Sequence, residues 1–109
     1  MNNEELNTAL YQKMEREQDK YRKWLLQCSP EEVLTHAYEY AVREDTLMAM
    51  EELNLPDEQA KALLKQCGPL ADVFKDFSKL ETDCMETVRG VIESCAEREA
   101  AMEQKREAR

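Results

Sequence analysis

The sequence predicts an all-α protein: a compact bundle of four to five helices with a long C-terminal helix. Three observations predict it. Glycine and proline are scarce, two and three in 109 residues, which argues against a β-rich or disordered chain. Ala, Leu, Glu, Lys, Gln, Met and Arg dominate the sequence, and all are strong helix formers. The prolines Pro30, Pro56 and Pro69 each stand at the head of a run with helical spacing, where a missing N–H costs nothing. A chain of this length is expected to be one domain, residues 1–109, with surface enough for one modest core.

The first helix starts at Asn2 or Asn3 as cap, with Glu4 and Glu5 in its first turn. Leu6, Leu10, Met14, Tyr21, Trp24, Leu25 and Cys28 fall on one face, and Glu17 interrupts that stripe. Residues 15–20 are almost wholly charged. The packing is therefore expected to be firmest at the C-terminal end, with Trp24 as a core anchor.

The second helix, over Ser29 to Leu53, organises the rest. Ser29 is an N-cap, Pro30 the first helical residue and Glu32 the capping-box partner. At 100° per residue, Val33, Leu34, Ala37, Tyr38, Tyr40, Ala41, Leu47 and Met48 share one arc. Glu32, Thr35, His36, Glu39, Arg43 and Thr46 share the other. The first arc is expected to face the core and the second to face water. Glu44 falls inside the apolar arc. Either it reaches the helix edge, the helix kinks near Asp45, or an Arg or Tyr hydroxyl holds a buried carboxylate.

The third helix, LPDEQAKALLKQ, turns Ala60, Leu63 and Leu64 inward, and Gly68 is expected to end it in a left-handed conformation. The fourth, PLADVFKDFSKLE, carries Leu70, Val73, Phe74, Phe77 and Leu80 and is expected in the middle of the core. Thr82 either caps a fifth helix or the fourth runs on. In the last segment Cys84, Met85, Val88, Val91, Ile92, Cys95 and Met102 lie within a third of the circumference. Residues after about 97 read as a solvated helical tail. The predicted core is Trp24, Leu34, Tyr38, Leu63, Phe74, Phe77, Val88 and Ile92. Phe77→Ala is then expected to cost about 3–5 kcal/mol.

The net charge of −9 is uneven. Residues 29–60 hold nine acids against one base, Arg43, for a net −8. That excludes the basic footprint of a nucleic-acid binder and favours a protein partner with a basic surface. Residues 46–66 resemble a helix-turn-helix in outline, but the second helix begins Asp57-Glu58, which repels phosphate. No apolar run approaches the ~20 residues of a membrane span, and MNNEEL lacks a signal-peptide core, so a cytoplasmic protein is expected. Its thiols, Cys28, Cys67, Cys84 and Cys95, are then expected reduced and metal-free, since none has ligand spacing.

His36, Tyr40, Arg43 and Glu44 form the one cluster with the residue types of an active site. His36 lies on the wet arc beside Glu32 and Arg43, where an i,i+4 surface contact accounts for it. There is no glycine-rich phosphate loop and no nucleophile elbow. No catalytic, cofactor-binding or metal-binding residue is expected, and no cofactor.

The runs HAYEYAVREDTLMAM, LPDEQAKALLKQ and PLADVFKDF resemble a domain-of-unknown-function family of short acidic helical modules. These are found on integrative and conjugative elements of gut bacteria. The resemblance spans roughly residues 5 to 100. It implies a mobile-element setting and supplies no catalytic residue. The expected function is that of a non-enzymatic, acidic protein-interaction module. Its candidate partner-binding face is Glu31, Glu32, Glu39, Arg43, Glu51 and Glu52. The alternative is an inhibitor that mimics nucleic acid to disarm a host nuclease. Self-association through the C-terminal helix is a further open mode.

Overall fold

In the computed structural model the described residues are 1–80 and 82–107, with the backbone alone described for 82–84. They form five α-helices and, among the described residues, no strand: α1 Asn3–Leu26, α2 Pro30–Glu52, α3 Asp57–Leu64, α4 Pro69–Ser78 and α5 Thr82–Glu107. The all-helical expectation holds. The single bundle does not, because the chain divides into two compact units, Met1–Asp76 and Phe77–Arg109.

The first unit is built on α1, which packs against α2 and α3. Asn2 caps it, its side chain accepting the Glu5 N–H at 2.8 Å. Leu6, Leu10, Met14 and Gln18 step inward by four residues at a time, and all are buried. Leu10 and Met14 meet Leu47, Met50 and Leu70 in the core, flanked by Tyr11, Leu55, Leu63, Leu64 and Val73. The firm end of α1 is therefore its N-terminal half, contrary to the sequence expectation, and Trp24 is 46% exposed. The physical reason is the α2–α3 link, which lies along that half. Asn7 donates to the Leu55 carbonyl at 3.0 Å and accepts the Leu55 N–H at 2.9 Å. Asn3 donates to the same carbonyl and to Asp57. Lys13 donates to the carbonyls of Leu64 and Gln66, neutralising the C-terminal end of α3.

Helix α2 runs unbroken from Pro30 to Glu52, capped by the Ser29 hydroxyl, which accepts the Glu32 N–H at 3.3 Å. There is no helix break at Asp45. Glu44 is half-buried at the edge, where the Gln18 amide donates to it at 3.1 Å. The inward face is not the expected one. Val42, Arg43, Leu47 and Met50 are buried, with His36, Glu39, Tyr40 and Thr46 half-buried beside them. Leu34, Tyr38 and Met48 are exposed. The helix is rotated so that most of its predicted wet arc faces α1.

Helix α4 enters the core only with its first turns. Pro69 and Leu70 are buried and Val73 and Phe74 half-buried. The Phe74 ring meets Tyr38 edge-on, centroids 6.2 Å apart. Gly68 is not left-handed, since no glycine has a positive φ. Its role is spatial: a Cβ there would sit 2.9 Å from a Glu17 carboxylate oxygen.

The second unit holds the end of α4 and all of α5. Phe77, Val88 and Ile92 are exposed, the last by 60%, so these members of the predicted core are not core residues. Helices α4 and α5 are separate, because α4 ends at Ser78. The proposed Thr82 cap and the Cys84 side chain fall outside the described residues. Beyond residue 97 the helix continues to Glu107 with every side chain exposed.

Candidate functional site

Arg43 is the one base among the nine acids of residues 29–60, and the fold spends it internally. Arg43 is 6% exposed. It bonds Glu39 through Nε at 3.0 Å and Nη2 at 2.6 Å. It also approaches Glu17 at 3.7 Å and lies 4.0 Å over the Tyr21 ring. A buried guanidinium needs such a full set of partners, because unpaired it is expensive to desolvate. Glu17 is shared further. Its two carboxylate oxygens accept the N–H groups of Leu70 and Ala71 at 2.8 and 3.0 Å. That caps the positive end of α4 from another helix. The acid that breaks the α1 stripe is thus the joint between α1, α2 and α4.

His36 also sits inside. Its ring lies edge-on to Trp24 and Tyr21, with centroids at 5.1 and 6.4 Å. It is half-buried, not a surface histidine. The Tyr21 phenol is pushed above its ordinary range by burial first and then by the charge of Glu39, with Arg43 opposing. Its hydroxyl is buried beside Glu39 and makes no well-formed hydrogen bond among the described residues.

The candidate partner face is therefore split. Glu39 and Arg43 form the internal pair, and Glu51 accepts the Tyr11 hydroxyl at 3.2 Å. Glu31, Glu32 and Glu52 are exposed. Tyr11, Gln18, Tyr40, Glu44 and Glu51 line a broad open groove of about 810 Å³. Both phenols there are raised, chiefly by burial and then by the neighbouring glutamates. They stay protonated and donate, so neither is poised as a base.

A second groove, of about 660 Å³, was not foreseen. It runs between the end of α1 and the start of α2, lined by Leu25, Leu26, Pro30, Val33, Leu34 and Ala37. Leu26 is 74% and Leu34 76% exposed. The exposed stripe continues along α2 through Tyr38, Ala41 and Met48. Glu31, Asp45 and Glu52 stand on the same side of the helix. Cys28 also lines this groove. Its thiol is raised by burial and by a hydrogen bond to Glu32, which keeps it in the unreactive protonated form. The signal for this groove was in the sequence: an apolar arc on α2 wide enough to exceed what one neighbour covers.

Among the described residues, no three His, Cys, Asp or Glu side chains are arranged to hold a metal ion. No described helix is long and apolar enough to cross a membrane. No curated protein and no solved structure matches the chain. A family model does match, over residues 6–100, and the chain belongs to that family, described as "Protein of unknown function (DUF3848)".

Proposed function

We propose that the chain is a non-enzymatic protein-interaction module that takes an amphipathic helix with basic flanks into the groove between α1 and α2. The observation that carries this is the exposure of Leu26 and Leu34 on a continuous apolar surface. Contiguous exposed apolar area on a small protein marks a binding site, and a helix laid in an apolar groove is a recurrent mode. Charge selects the occupant. Residues 29–60 carry a net −8 from nine acids and one base, and Glu31, Glu32, Asp45 and Glu52 are exposed. Such acids steer a basic partner and add specificity. The acidic residues steer and orient the partner here, and the apolar side chains between them supply the contact.

The alternative, mimicry of a phosphate backbone, calls for an unbroken row of carboxylates. Glu39 and Glu51 are engaged within the fold, and the remaining acids alternate with Leu34, Tyr38 and Met48. That interleaving supports helix docking. The proposed setting is a bacterial mobile element in the cytoplasm, supported by the resemblance of REDTLMAM and PLADVFKDF.

The test is an NMR titration of the labelled protein with a designed Leu/Lys amphipathic helical peptide and its Leu/Glu counterpart. Amide shifts are expected at Leu26, Val33, Leu34 and Ala37 with the lysine peptide alone. They are expected to shrink with added salt and to vanish in Leu34→Asp. Equal binding to Leu34→Asp, or shifts confined to other helices, overturns the reading.

A further inference from the structure

Every described side chain of α5 from Met85 onward is exposed, yet its large apolar residues are not scattered. Met85, Val88, Ile92 and Cys95 recur at steps of three and four, and Met102 follows seven residues after Cys95. These are the a and d positions of a heptad, with Glu99 filling the remaining a position. Val91 widens the seam at a flanking g position. The stripe from Met85 to Met102 is about 26 Å long at 1.5 Å per residue. An exposed apolar seam of this length on one helix calls for a second helix to cover it.

We propose that α5 covers this seam with α5 of a second copy, in a parallel, in-register two-stranded coiled coil. The charges select this partner and this direction. In a parallel pair a g residue faces the e residue five positions on in the other chain. Arg98 at g then faces Glu103 of the second copy at e. Glu99, the acid within the seam, faces Glu99 of the second copy, and Arg98 of each chain flanks that pair and offsets its charge. Within one helix Arg98 and Glu103 are five residues apart and do not meet. In the single chain Arg98 contacts Glu99 at 3.7 Å and the Cys95 sulfur at 3.6 Å, and Glu103 contacts Arg106 at 3.5 Å. An antiparallel pair in the register that matches Met85 with Met102 sets Val88 against Glu99 and Arg98 against Val91, which places charge on apolar surface. The inference is independent of the α1–α2 groove, and neither test bears on the other.

The test is sedimentation equilibrium on the full chain, with Trp24 fluorescence as a check that the first unit stays folded. A concentration-dependent dimer is expected. Ile92→Asp is expected to weaken it about a hundredfold or more, because two apolar side chains lose their burial. Arg98→Glu and Glu103→Arg are each expected to weaken the dimer, and the double exchange to restore it. In a variant with Cys95 as its one cysteine (Cys28→Ser, Cys67→Ser, Cys84→Ser), a short bismaleimide is expected to link the two copies. A monomer at all concentrations overturns the proposal, as does a trimer. So does a dimer that Cys95 fails to link, or one the double exchange does not restore.

Discussion

Arg43 shows how one side chain sets the orientation of a helix. It brings the polar arc of α2 inward because α1 offers Glu17 and the Tyr21 ring to receive it. Removing one member of a buried pair leaves the others desolvated without compensation. Arg43→Ala is therefore expected to cost about 3 kcal/mol in urea unfolding. Tyr21→Phe is expected to be neutral within about 0.5 kcal/mol or slightly stabilising, since its buried hydroxyl makes no well-formed hydrogen bond. A loss of less than about 1 kcal/mol for Arg43→Ala, close to the size of a surface change, indicates a solvated guanidinium and removes the stated cause of the α2 rotation. Phe77→Ala, expected from sequence to be severe, falls in the mild class because Phe77 is 43% exposed.

At the scale of elements, the helices are locally capped and then locked by side chains from α1. Asn2 and Ser29 cap their own helices. Asn7 holds Leu55, and Glu17 caps α4 across space. Gly68 is part of that last device. Its backbone is not left-handed, so alanine is conformationally allowed there and lowers the entropy of the unfolded chain. Against that, the new Cβ meets Glu17 at 2.9 Å, and Glu17 is tethered by Leu70, Ala71 and Arg43. Gly68→Ala is expected to destabilise by about 1 kcal/mol in the wild-type protein. In the Glu17→Ala background the sign is expected to reverse, with a gain of about 0.5 kcal/mol. A double-mutant cycle by denaturant melts measures this coupling. Additivity of the two changes excludes the close approach as the reason for glycine.

At the scale of the molecule, two units imply two unfolding events. The core of the first unit gathers Leu10, Met14, Leu47, Met50 and Leu70, whereas the described side chains of α5 are exposed. Local stability follows buried apolar contact. Helicity is expected to begin falling with urea before Trp24 fluorescence changes. The early phase is expected to move to higher urea as protein concentration rises, through mass action on the α5 pair. Coincident transitions at all concentrations oppose the division into two units.

Helix content and most helix limits were legible in the residues. Capping, the position of proline and acids in the first turn act within a few residues of chain, so Asn2, Ser29, Pro30, Pro56 and Pro69 mark their helices without outside help. The α1 stripe of Leu6, Leu10 and Met14 was legible for the same reason. The inward face of α2 was not. An apolar arc and a polar arc compete there, and the outcome depends on what α1 presents. Glu17 and Tyr21 satisfy Arg43, and no term local to α2 contains that information. Leu34, Tyr38 and Met48 are left outside, and so the apolar arc visible in the sequence was placed as a groove, and not as core, only by the packing of α1 against α2.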